Sequence, residues 1–129
     1  MKRNLRLNAD FLPEAGDPVF LPAAERALFV VEGAVTVEWA RGARLCEEGG
    51  AFLGEEALAL LPGPAGARLL RFELVGPGAS DGGALRAAPA AASEQKLAVD
   101  VALDPGFAWL MRLDLVGFPK GGVAYTHLH

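Results

Sequence analysis

His127 and His129 are the only two imidazoles in the chain, and they are separated by one residue. On a strand, residues i and i+2 project from the same face. Two imidazoles so placed can chelate one cation and leave positions open for water or substrate. Two ligands bind weakly, and a catalytic zinc site normally has three protein ligands. Here a third would have to be a carboxylate, Cys46, a backbone group or a neighbouring chain. The competing reading is an exposed C-terminal tail.

Other candidates carry less. Glu47, Glu48, Glu55 and Glu56 form two acidic pairs, suited to a cation or to acid–base work, and equally suited to solvated turns. Cys46 has no histidine near it in sequence and reads as a buried strand cysteine. Arg68, Arg71 and Arg112 interrupt otherwise apolar runs. Arg68 and Arg71 are three apart, so a regular strand sends them to opposite faces. One could point inward and grip a carboxylate bidentately; the alternative is an outward ion pair with Glu73 or Asp114. Trp39 and Trp109 suit either a pocket mouth or the core. Gly76-Pro77-Gly78 lacks a following Lys-Ser/Thr and does not lead into a helix, so nucleotide binding is not indicated.

The elements that must position these groups read as strands. Ala27–Val31 and Ala34–Trp39 are rich in β-branched and aromatic residues. The Glu32-Gly33 step between them predicts a tight turn and an antiparallel hairpin. Arg44–Cys46, Ala51–Gly54, Ala57–Leu61 and Ala67–Val75 follow, with turns at Arg41-Gly42-Ala43, Glu47–Gly50 and Pro62–Gly66. Leu97–Leu103 alternates, with Leu97, Val99, Val101 and Leu103 on one face. Phe107–Val116 places Trp109, Met111, Leu113 and Leu115 together, with Arg112 and Asp114 opposite. Pro22–Ala27 amounts to a turn of helix at most. Short strands with turn signals every eight to twelve residues or so predict an all-β barrel or sandwich.

Composition narrows the partners. The chain has 129 residues, 52% hydrophobic and 22% charged, which suits one globular unit with a sizeable core. Twelve basic residues face sixteen acidic ones, for a net charge of −4. The basic residues are scattered, so neither nucleic acid nor an anionic membrane is expected as a partner. No apolar run reaches the roughly 18 residues of a spanning helix. The charged N-terminal stretch lacks a signal-peptide core, and a single cysteine, Cys46, allows no internal disulfide. A cytoplasmic protein is therefore expected.

Two places in the chain resemble the cupin superfamily, and specifically its two-barrel members. One is Phe29–Gly33 (FVVEG) with the following AVTVEW strand, EEGGAFL and LPGPAGARLL. The other is GGVAYTHLH, where five residues separate Gly121 from His127 and one separates His127 from His129. That spacing matches the Gly-x5-His-x-His opening of the first cupin motif. The resemblance implies a cupin-like jelly-roll, a small β-barrel, with His127 and His129 as ligands to iron, manganese, zinc, nickel or copper.

The N-terminal copy departs from the pattern. Pro18–Pro22 stand where the histidine pair would be, Glu25 lies one position from the glutamate spacing, and Leu69 takes the place of the second motif's histidine. A metal-free barrel over residues 1–76 is expected, then a Gly/Pro/Ala-rich linker or loop over 77–93. Residues 94–129 either complete that barrel or begin a second repeat. Because the motif breaks off after His129, a fragment of a longer two-barrel protein is the favoured reading. Two functions remain open: part of a metal-dependent enzyme acting on a small polar molecule, or a non-catalytic module that binds a small ligand or forms a homodimer.

Overall fold

The structure is a computed structural model that describes residues 2–14, 17–76, 92–104 and 106. Every regular element among them is a strand: β1 (Lys2–Leu12), β2 (Val19–Leu21), β3 (Glu25–Trp39), β4 (Gly42–Glu47), β5 (Ala51–Gly54), β6 (Leu58–Val75) and β7 (Ala92–Ala102). All pairings are antiparallel, in the order β4-β3-β6-β1-β7, with β2 also on β6 and β5 also on β3. The fold is all-β and of jelly-roll type. Among the described residues the path ends at β4 and β7 and does not close on itself.

Two strands do most of the folding. The first half of β3 pairs with β5 and with the second half of β6, and its second half pairs with β4 and with the first half of β6. Both strands bend where the register shifts around Gly33. Gly33 and Gly66 have positive φ, 81° and 73°, and their backbones meet there: a Cβ on Gly33 would strike the Gly66 carbonyl oxygen. Only glycine fits that crossing.

This corrects two expectations. Ala27–Val31 and Ala34–Trp39 do not form a hairpin; they are one continuous strand with a corner at Gly33. Pro62–Gly66 is not a turn between strands but a bent stretch inside β6. In both cases the glycine bends the chain without ending it, because the neighbouring strand bends at the same level. The other turns fall close to the reading: β3 and β4 are joined through Ala40-Arg41 and β4 and β5 through Glu48–Gly50, with Gly42, Ala43 and Glu47 belonging to β4 itself.

Bending brings both halves onto one core. Leu28 and Val30 from the first half of β3 share a cluster with Val35 and Val37 from the second, together with Leu58, Leu60 and Leu69 of β6. Val19 and Leu21 of β2, both essentially inaccessible, face the same core. Trp39 packs against the cluster, its ring 5.1 Å from that of Phe52. Of its two readings, core packing is the one realised. Cys46 is buried in the cluster as a free thiol.

Candidate functional site

His127 and His129 lie outside the described residues, as do Trp109, Arg112 and Asp114. Among the described residues no group of three His, Cys, Asp or Glu side chains could hold a metal ion. Val19 and Leu21, within the segment that would hold a histidine pair, point into the core. Leu69, which takes the third histidine's place, is 1% exposed. Glu47, Glu48 and Glu55 are exposed, and the Glu56 carboxylate lies 3.7 Å from the exposed Arg41. Glu48, Glu55 and Glu56 sit in turns, and Glu47 ends β4 with its side chain in solvent.

The unexpected element is β1. Its register with β6 sets Arg6 opposite Glu73, Asn8 opposite Arg71 and Asp10 opposite Leu69. Arg6, Asn8 and Asp10 are all buried, alternating with the more exposed Leu5, Leu7, Ala9 and Phe11. The strand therefore turns its charges inward and its apolar residues outward, the reverse of the usual half-buried strand.

Inside, these charges close into a network. The Arg71 guanidinium donates from Nε to Asp10 Oδ2 at 2.7 Å and from Nη2 to Oδ1 at 3.2 Å, a bidentate grip, and from Nη1 to Glu73 Oε1 at 2.6 Å. Glu73 Oε2 accepts from Arg26 Nε at 2.7 Å, and Arg26 also donates to the Pro22 carbonyl at 2.6 Å. The Ser93 hydroxyl donates to Asp10 Oδ1 at 2.7 Å and accepts from Arg71. The network thus ties β1, β3, β6 and β7 together. Arg6 Nε donates to Asn4, whose amide donates to Asp100 of β7.

Burial acts on the two arginines differently. Desolvation presses down on the Arg71 pKa, but hydrogen bonds and charge from Asp10 and Glu73 outweigh it and hold the pKa above normal. Arg26 feels the same desolvation with one close carboxylate, Glu73, and a repelling Arg71, and its pKa falls below normal. Both carboxylates are committed to guanidinium groups, so neither is placed to act as a base or a cation ligand. Asn8 Nδ2 is the one buried side-chain polar atom without a hydrogen-bond partner among the described residues.

Parity separated the two β6 arginines as expected. Arg71 points inward and grips a carboxylate bidentately, though the carboxylate is the protein's own Asp10 and not a ligand. Arg68 points outward, 3.4 Å from Glu32 and stacked over the Phe11 ring at 5.5 Å.

The outer face of the same sheet is apolar. Leu5 sits between Leu74 and Val99, and Leu7 between Phe72 and Leu97. Ala27 and Phe29 of β3 lie beside Phe72 and Leu70, and Leu53 of β5 extends the row. At one end the face dips into an open cleft of about 370 Å³ whose lining includes Phe11, Val31 and Leu70, with Arg68 and Glu94 also on its walls. That volume is within the range of small-molecule sites. Sequence reading missed this face because β1 lies in a stretch, MKRNLRLNADFLPEAGD, dominated to the eye by its charges. The available signal was the strict alternation Leu5-x-Leu7-x-Ala9-x-Phe11.

No family model matches the chain, and no curated protein matches it. Among solved structures it is similar to protein NMB1881 from Neisseria meningitidis, at 22% identity and a TM-score of 0.43, over 54% of this chain and 73% of that one.

Proposed function

We propose that the chain is a non-catalytic binding or assembly module of cupin type, working through the outer face of its β1-bearing sheet. The inverted polarity of β1 carries this reading. The interior that would hold a catalytic site is occupied by an ion network whose carboxylates are already engaged. The apolar surface and its cleft face outward, where a ligand or a protein can reach them. The single cysteine and the scarcity of basic clusters suit a cytoplasmic protein whose partners are small molecules or other proteins.

A second reading rests on the Gly-x5-His-x-His spacing: part of a metal-dependent enzyme acting on a small polar molecule, with His127 and His129 as ligands. The described residues do not fit a resident metal, since guanidinium groups engage both interior carboxylates. Elemental analysis of the purified full chain, before and after incubation with iron, manganese, zinc, nickel and copper salts, decides between the two. Absence of stoichiometric metal supports the module. One equivalent of metal that disappears in His127→Ala and His129→Ala overturns it.

A further inference from the structure

We propose that the open cleft on the outer face binds a small aromatic monocarboxylate, with Arg68 as the group that holds the carboxylate. This rests on the reading of that face as the working surface and names the chemistry of its ligand. The cleft, of about 370 Å³, lies where β6, β1 and β7 run side by side. The register sets Leu70, Ala9 and Glu94 in one row across the three strands, and Arg68, Phe11 and Ala92 in the next.

The two alanines explain the hollow. Alternate residues of a strand stand on one face, so Ala9 and Ala92 share the outer face with Phe11 and Leu70 but rise less from the sheet. Phe11, Val31 and Leu70 are left as apolar walls around two methyl groups. Phe11 and Val31 are 42% and 43% exposed, so an occupant withdraws apolar surface from water. A flat ring suits a low floor of this kind, and apolar walls with few polar groups are the usual lining of a small-molecule site.

Arg68 supplies the polar end. The Arg26 and Arg71 guanidinium groups commit their Nη donors inside the fold, to the Glu56 and Pro22 carbonyls and to Glu73 and Asp10. Arg68 differs. Its Nε lies 3.4 Å from Glu32 and its guanidinium carbon 5.5 Å from the Phe11 ring centre, and it makes no hydrogen bond among the described residues. The pair with Glu32 is more than half exposed on both sides, and exposed pairs of that kind are weak. Glu32 approaches at Nε, so the Nη groups remain for a planar carboxylate, which a guanidinium can grip bidentately. Stacking on Phe11 restrains the guanidinium before a ligand arrives and lowers the cost of ordering it. The other charge on the walls, Glu94, is offset by Lys96 at 3.0 Å. Arg68 therefore sets the sign that the cleft prefers.

Titration of the isotope-labelled full chain with phenylacetate, followed by backbone amide shifts, tests this. The expected result is a saturable shift at Ala9, Phe11, Leu70 and Ala92 with a Kd of about 1 mM, as befits so small a probe. Acetate, which lacks the ring, and phenylacetamide, which lacks the charge, should each bind at least about fivefold more weakly. Arg68→Gln should weaken phenylacetate to a similar degree at an unchanged urea midpoint. Glu32→Gln, which removes the competing acid, should tighten it about twofold, and Arg44→Gln, at an exposed arginine on β4, should leave it unaltered. No saturable shift at the cleft up to about 20 mM overturns the proposal. So does equal binding of the amide, or a loss as large in Arg44→Gln as in Arg68→Gln. Repeating the titration with a chelator separates the cleft from the metal reading. Binding that vanishes with the chelator or in His127→Ala belongs to a metal and refutes the cleft. Binding that persists and depends on Arg68 supports the cleft whatever the elemental analysis finds, so the ligand and the non-catalytic reading can fail separately.

Discussion

Replacing Arg71 with Met removes its hydrogen bonds to both carboxylates, two to Asp10 at 2.7 and 3.2 Å and one to Glu73 at 2.6 Å, along with the one to Ser93 at 3.3 Å. Met fills most of the arginine's apolar volume, so the loss is electrostatic more than steric. Asp10 is left with the Ser93 hydroxyl and Glu73 with Arg26, in a site where the Asp10 and Arg71 side chains are both 0% exposed. A single hydrogen bond to a charged group contributes about 1.5–3 kcal/mol net. Breaking one partner of a buried pair costs about 3–5 kcal/mol net, because the other charge stays buried and unmatched. The expected destabilisation of Arg71→Met is thus about 3–5 kcal/mol, read as a lower urea midpoint at constant slope. Asp10→Leu should cost a similar amount, since it leaves two guanidinium groups sharing Glu73. The double variant Asp10→Leu/Arg71→Met leaves the Arg26–Glu73 pair balanced and should recover to within about 1–2 kcal/mol of the parent. A single variant costing less than about 1 kcal/mol, or a double variant whose loss equals the sum of the singles, refutes the network as a coupled, desolvated unit.

Other perturbations probe the corner, the core and the thiol. Gly33→Ala sets a methyl against the Gly66 carbonyl at φ +81° and should cost about 2–5 kcal/mol, whereas Gly49→Ala, also at positive φ but with nothing within 4 Å, should cost only about 1–2 kcal/mol. Equal losses in urea unfolding would mean that the crossing is not tight. Leu60→Ala, at a fully buried position, should lower stability by about 2–5 kcal/mol, and a loss under about 1 kcal/mol would contradict the placement of the core. Burial holds the Cys46 thiol above its usual 9.0, with Arg44 opposing. Its reaction with a disulfide reagent at neutral pH should therefore be at least about 100-fold slower in the native protein than in urea. Because the folded value lies above the unfolded one, the thiol's contribution to stability is intact below pH 9.0 and is lost as pH rises through the folded value. Equal labelling rates in native and unfolded protein would place the thiol at the surface.

How far the sequence spoke depends on which pattern each strand carried. The apolar, β-branched runs of β3 and β6 announced themselves as strands, and the two-residue and glycine turns flanking β4 were legible from local chemistry. The corner was not. Glu32-Gly33 and Pro62–Gly66 have turn composition, but a turn ends a strand only if the chain reverses there. Whether it reverses or merely bends depends on the partner strands, since Gly33 must clear the Gly66 carbonyl 33 positions away and Gly66 must clear the Leu12 carbonyl at the end of β1. The arginine parity on β6 was legible because it follows from the alternation of any strand. The identity of Arg71's partner was not, because Asp10 lies 61 residues away, in a strand disguised by its own charges.

The disguise and the apolar outer face have one origin. A strand whose inward residues are polar, as Arg6, Asn8 and Asp10 of β1 are, gains little burial energy from the interior, so its apolar residues are withdrawn from water only if something covers them on the other side. The Arg71–Asp10–Glu73–Arg26 network makes that inversion tolerable by satisfying every charge it encloses, and it fixes β1 and β7 in the register that lines up the outer row of Leu5, Leu7, Leu97 and Val99. Interior and exterior are therefore coupled through the same two strands. Loosening the network with Arg71→Met should disturb the outer face as well as stability, and a variant that unfolds more easily yet presents an unaltered face would separate the two.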